Sequence, residues 1–171
     1  MRLLVKNKFF TLGGSSIVTD ENGEIVYKVK GSVFSNIITH LHKKVIRDKN
    51  RKKLFVVRNK FWHKPFYKSA LIYKDRKKLA KVVKSHFIKN GYDVIGATEP
   101  IKVEGSGWNL EILLGDRKIG HISLPAIDSA KSALRVTDAF VLDVYDPEDA
   151  PFLVAMMIAI DNIHDANTGR Y

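Results

Sequence analysis

Pro151-Phe152-Leu153-Val154-Ala155-Met156-Met157-Ile158-Ala159-Ile160 is a ten-residue run without one polar side chain, bracketed by Asp146, Glu148 and Asp149 before it and Asp161 after it. A helix through this run is apolar on every side and has to be surrounded by protein or by lipid. Ten residues fall well short of the roughly 20 that cross a bilayer, so the enclosing medium is expected to be the rest of the chain. Asp146 suits a cap, Pro147 or Pro151 suits the first turn, the acids sit at the positive end, and Gly169 suits the stop. These signals place one helix over about residues 150–164, roughly 22 Å long at 1.5 Å per residue.

Upstream of it the pattern has period two. Four segments read as hairpins, each an apolar stretch, a polar turn built on an aspartate and a second apolar stretch: Ile17 to Val26 around Asp20, Val45 to Val56 around Asp48, Leu71 to Ala80 around Asp75, and Ile112 to Ile119 around Asp116. Asp, Asn and Gly accept left-handed backbone, and the flanking β-branched and aromatic residues suit a pleated surface. Trp108, Leu110, Ile112 and Leu114 alternate with Asn109 and Glu111, and Phe140, Leu142 and Val144 alternate with Asp143, so each strand has one core face. Lys77 to Ile88 fits a helical stripe as well as a strand, and strand is adopted because it continues a hairpin. Gly13-Gly14-Ser15-Ser16, Gly31-Ser32 and Gly105-Ser106-Gly107 read as turns.

The chain therefore offers ten to twelve strand candidates and one wholly apolar helix. A barrel of more than eight strands leaves a lumen that side chains alone do not fill, and strands of about six residues stand some 20 Å tall, close to the helix length. The expected class is mainly β with one buried helix, in one domain over residues 1–171, with the helix filling the lumen and no large internal cavity left over.

Several function classes lose their basis in composition. With no cysteine there is no disulfide framework, thiolate zinc site or palmitoylation site, which fits a reducing cytoplasm. The opening Met1 to Lys8 has no apolar stretch of signal-peptide length. The net charge of +11 is lopsided: residues 1–90 hold 23 of the 29 Lys and Arg and 5 of the 18 acids, while residues 91–171 hold 6 and 13. A first half at +18 against a second at −7 calls for an anionic partner, or for one half neutralising the other in the fold. The bland alternative is a solvated basic surface that aids solubility.

Leu4-Val5-Lys6-Asn7-Lys8-Phe9-Phe10-Thr11-Leu12, the turns Asp20-Glu21-Asn22-Gly23 and Asp48-Lys49-Asn50, and the ending Ala139 to Val144 followed by Ala155 to Asp161 resemble the LURP-one-related family. Its members share the tubby-like fold with the tubby C-terminal domain and the phospholipid scramblases, and the likeness extends over nearly the whole chain. The resemblance implies a closed antiparallel barrel of about 12 strands threaded by the C-terminal helix. Tubby-like domains bind phosphoinositide headgroups through a Lys-x-Arg pair or have nuclear roles, and scramblases act at membranes. The nearest segment here is Lys28-Val29-Lys30, whose ammonium groups lack the flat guanidinium fork. No scramblase-like acidic calcium segment is evident.

Candidate sites follow from the basic stretch His40 to Lys89, interleaved with Phe55, Phe61, Trp62, Phe66, Tyr67 and Tyr73. An anion-binding surface is expected from Lys28, Lys30, Lys43, Lys44, Arg47, Arg58 and Lys60, engaging acidic phospholipid or a membrane surface, with nucleic acid as the alternative partner. The bland reading puts the aromatics inside the barrel and the lysines in plain water. His40 and His42, with His63 or His86, have metal-ligand spacing, but no Cys or nearby acidic ligand supports them, so no metal and no cofactor are expected. Asp161 and His164 share a helix face and are read as marking where the helix leaves the core. No nucleophile elbow, Walker loop or dinucleotide fingerprint is present. The expected protein is a non-enzymatic cytoplasmic binding module, peripheral at the inner membrane face, with an enzyme or small-ligand carrier as the third reading.

Overall fold

Antiparallel pairing runs without a break around twelve strands, so the sheet has no free edge. The computed structural model describes residues 1–8, 15–31, 43–60, 69–85, 91–125 and 139–168. The strands are β1 (Arg2–Lys8), β2 (Ser15–Thr19), β3 (Ile25–Gly31), β4 (Lys43–Asp48), β5 (Lys53–Lys60), β6 (Ser69–Lys74), β7 (Lys77–Lys84), β8 (Tyr92–Ile95), β9 (Ile101–Ser106), β10 (Asn109–Leu114), β11 (Arg117–Ser123) and β12 (Ala139–Val144). Each pairs with its sequence neighbours, and β1 closes the barrel against β12. The Met1 amine donates to the Val144 carbonyl at 2.8 Å, and the Val144 amide donates back to Met1 at 2.8 Å, locking that seam.

The four aspartate turns form as the sequence predicts, each for a visible reason. Asp20 Oδ1 accepts from the amides of Asn22 and Glu24, and Gly23 takes φ 81°. Asp48 Oδ1 accepts from the Lys52 amide, with Arg51 at φ 66°. Asp75 and Arg76 both have positive φ, the pattern of a two-residue hairpin turn whose twist suits its strands. Gly115 supplies the positive φ beside Asp116. The segment from Lys77 is a strand as far as Lys84. The turn after β9 lies at Gly107 and Trp108, while Gly105 belongs to the strand itself, where a Cβ would lie 2.0 Å from the Asn109 carbonyl oxygen. Gly13, Gly14 and Ser32 lie outside the described residues.

Helix α1 (Ala150–Thr168) follows a 3-10 turn at Pro147–Asp149, whose Glu148 amide donates to Asp146 Oδ1 at 3.0 Å. It enters at the barrel end that carries the short β-turns and runs back through the lumen, about 28 Å at 1.5 Å per residue. Every side chain from Leu153 to Ile160 is fully buried, with Ile163 close behind. Their partners are the inward residues of the strands, among them Leu3, Ile46, Ile72, Leu110, Ile112 and Leu142. A run that is apolar on all sides is stable here because strands lie on all sides. No helix among the described residues is long and apolar enough to cross a membrane.

Gly120 of β11 leaves no room for a side chain between wall and helix. A Cβ there would lie 2.9 Å from Leu153 Cδ1 and 3.1 Å from the Asp143 carbonyl oxygen. The leucine can turn away, but the carbonyl is fixed in the ladder. We expect Gly120→Ala to lower stability by about 1–3 kcal/mol, the usual overpacking penalty, read as a lower urea midpoint at unchanged slope.

Candidate anion-binding surface

Strand alternation sorts the basic residues before any question of chemistry arises. On β3, Tyr27 and Val29 are buried while Lys28 and Lys30 are exposed. On β4 the inward position is Ile46, so Lys43, Val45 and Arg47 face out, and on β5 Arg58 faces out between buried Val57 and Asn59. Register then lines these side chains up across the outside of the wall. One row runs Lys28, Arg47, Lys53 and a second runs Lys43, Arg58, Leu71, Lys81. Between them lies Lys30, Val45, Val56, Tyr73, Lys78.

Two β-bulges build part of this arrangement. Regular pairing after Ile46 opposite Phe55 would set Leu54 against Arg47, but the bulge sets Lys53 there. Likewise the bulge after Ile72 sets Lys78, in place of Leu79, against Tyr73. Each bulge exchanges a leucine for a lysine on the outer face, an instance of bulges re-aiming side chains. Lys53, Lys78 and Lys81 are therefore members of the surface that the sequence did not indicate. Alternation alone could have found Lys81, but the other two depend on the bulges.

The electrostatics of these rows are unusual for a sheet. Lys28 stands opposite Arg47, Arg47 opposite Lys53, and Lys43 opposite Arg58; like charges directly across a ladder destabilise it. No described ion pair engages Lys28, Lys30, Lys43, Arg47 or Arg58. Partial relief comes from neutral partners: Arg58 lies 5.1 Å from the centre of the Tyr73 ring, and Arg47 Nη1 donates to the Arg51 carbonyl at 3.0 Å. On the opposite wall the charges are matched. Arg2 Nε lies 2.7 Å from Asp143 Oδ1 and Lys118 Nζ 2.8 Å from Glu111 Oε1.

The matched wall makes its own prediction. The hydrogen bond from Arg2 holds the Asp143 carboxyl below its ordinary 3.8 against the opposing effect of partial burial. A depressed folded-state value gives stability that is complete above the unfolded value and is lost as pH falls through the folded one. Asp143→Asn should therefore lower stability at neutral pH and flatten the acid limb of the stability curve, the two proteins converging once the parent's carboxyl is protonated in acid, as read by urea midpoints. An unchanged acid limb would contradict the assignment.

Lys44 does not belong to the surface. Adjacent to outward Lys43 and paired with buried Val57, it faces the lumen, where its Nζ lies 3.5 Å from Asp161 Oδ2. The two side chains are 11% and 4% exposed. Asp161 accordingly does not mark the helix reaching solvent; a wall lysine comes inward to meet it. His164 packs against Trp108 with ring centres 4.9 Å apart. Tyr92 also faces inward, and burial first and the Asp161 charge second push its hydroxyl up to about 12. Nearby in sequence to this pair, Asn162 Nδ2 and, on β5, Asn59 Oδ1 are buried without a hydrogen-bond partner among the described residues.

Of the interleaved aromatics, Phe55 is buried in the wall and Tyr73 is half-exposed beside Arg58. Phe61, Trp62, Phe66 and Tyr67, the histidines His40, His42, His63 and His86, and the side chain of Lys60 lie outside the described residues. Among those described, no group of three His, Asp or Glu could hold a metal ion.

A family model described as LURP-one-related matches residues 1–161. No curated protein and no solved structure matches the chain significantly.

Proposed function

We propose that this chain, which belongs to the LURP-one-related family, is a non-enzymatic binding module that docks on acidic phospholipid through the outer face of β3 to β7. The observation that carries this reading is the set of like-charged residues placed directly opposite one another, Lys28 with Arg47 and Lys43 with Arg58, with no carboxylate among the described residues to match them. A wall that only needed solubility gains nothing from paired repulsion, whereas an anionic surface laid across it relieves that repulsion at every pair.

The shape of the face favours a lipid surface over a nucleic-acid strand. Half-exposed Val45, Val56 and Tyr73 lie between the cationic rows and half-exposed Leu71 lies within the second, so apolar side chains sit in the middle of the patch with basic ones around them. Such a patch suits the headgroup boundary, where each basic residue adds about 1 kcal/mol toward acidic lipid. Tyr73 stands beside Arg58 and, among the described residues of this face, is one aromatic where stacking on successive bases needs several. The protein then works in the cytoplasm and visits the inner membrane face.

Flotation with vesicles of phosphatidylcholine alone and of phosphatidylcholine with phosphatidylserine tests the reading. We expect binding only to the acidic vesicles and weakening with salt. Equal recovery on both at low salt would remove it. A gel shift with single-stranded DNA over a salt series is the counter-test, because a steep linear loss with log salt without vesicle binding selects the nucleic-acid alternative.

A further inference from the structure

The leucines displaced by the two bulges have a place of their own. Leu54 and Leu79 both line a cleft of about 380 Å³ at the barrel end where α1 enters, together with Phe55 and Phe152. The two aromatic rings lie 6.1 Å apart, tilted by 56°. A volume of this size falls within the roughly 300–1,000 Å³ range of small-molecule sites. Leu54, Leu79 and Phe152 are each only partly buried, so the folded protein leaves apolar surface uncovered inside a concavity.

The rim of the cleft is charged and its sign is mixed. Lys52, Lys53 and Lys74 stand with Asp75 and Glu148, three cations against two anions. Lys74 Nζ lies 5.8 Å from the centre of the Phe55 ring, so one ammonium stands directly beside the aromatic lining. Lys53 also ends the row of Lys28 and Arg47, which makes the cleft continuous with the cationic face. An excess of one positive charge suits a single negative charge, and the two carboxylates repel a polyanion.

We propose that this cleft receives the aliphatic chain of a singly charged anionic amphiphile, whose carboxylate or phosphodiester head rests among Lys52, Lys53 and Lys74. The charge preference extends the surface reading above, but the apolar cleft rests on its own geometry. The chain enters from one of two sources: a free fatty acid, or the acyl end of an acidic lipid in a membrane on which the protein is docked.

Titration calorimetry of the full chain with decanoate below its micelle concentration is the test, with octanoate, decanol and inorganic phosphate as comparisons. Each buried methylene tightens binding roughly fourfold, so octanoate should bind about 15-fold more weakly than decanoate. Decanol should bind at least tenfold more weakly, and phosphate should give no heat. Leu79→Trp fills the cleft at a partly exposed position and should abolish decanoate binding, while the paired Lys53→Gln and Lys74→Gln changes at exposed positions should weaken it about tenfold. Lys102→Gln, at an exposed position of β9 that neither lines the cleft nor belongs to the cationic rows, should leave it intact. If Leu79→Trp also weakens flotation on acidic vesicles, the chain comes from membrane lipid; if flotation is unchanged, it comes from a free amphiphile. No decanoate binding, or decanol binding as tightly, overturns the proposal even where acidic vesicles bind; decanoate binding without vesicle binding sustains it and removes the surface reading alone.

Discussion

Arg47→Glu combined with Arg58→Glu is expected to yield a protein that binds acidic vesicles about 1,000-fold more weakly and yet melts at a higher temperature. The loss follows from removing two cations worth about 1 kcal/mol each and adding two anions that repel by a similar amount, roughly 4 kcal/mol in all. The gain follows from the ladder: Arg47 faces both Lys28 and Lys53, and Arg58 faces Lys43, so a carboxylate at each of these two positions turns every repelling pair into an attractive one. At about 0.2–1 kcal/mol for each pair, and with 1 kcal/mol moving the midpoint by about 2–4 °C in a chain of this size, the melting temperature should rise by several degrees. Surface residues kept at a cost to stability are the mark of a functional face. If the variant melts lower and binding survives, the rows are a solvated surface and nothing more.

The second large effect concerns the buried pair. Lys44→Met is expected to destabilise the protein by about 3–5 kcal/mol, because it removes one partner of a buried ion pair and takes the ammonium away from the Asp161 carboxylate in the lumen. Asp161→Leu should be milder, since Lys44 is the more exposed of the two and its flexible stem can carry the ammonium outward. The double change Lys44→Met with Asp161→Leu should recover most of the loss, as replacing a buried pair by apolar residues is often neutral or stabilising. Chemical denaturation of the four proteins gives the coupling energy. Single changes that simply add, with no rescue in the double, would show that the pair does not couple wall and helix. Spectrophotometric titration of Tyr92 adds an independent readout, since loss of the Asp161 charge should lower its raised value while burial keeps it above ordinary tyrosine.

How much of this was legible in the sequence depends on what each feature requires. The enclosed helix was legible because Pro151 to Ile160 contains no polar side chain, so no amphipathic alternative existed. Turns at Asp20, Asp48, Asp75 and Asp116 were legible because each needs only a left-handed residue within four or five positions, joined at Asp20 and Asp48 by an Asx side chain that accepts from the turn's amides. The exterior site was legible only in part. Lys43 and Lys44 are equally basic and adjacent, and alternation says that one faces inward without saying which; the register against Val57 decides. Lys53 and Lys78 reach the surface rows only through extra residues at the two bulges, and a bulge leaves no compositional trace here. Asp161 was read as an exit to solvent because its partner lies 117 positions away, a distance that local pattern cannot bridge.

Closure of the wall by β1 against β12 has a consequence for how the protein is made. At 5–20 residues per second on the ribosome, the first strand waits roughly 7–30 s for residue 139 and its neighbours to emerge. Only then can α1, last of all, supply Leu153 to Ile160 to a hollow lined by Leu3, Val5 and their counterparts. Until it does, a nascent sheet with two sticky borders and a greasy concave side is on display, so yield in the cell should depend on chaperone supply far more than the finished protein's stability suggests.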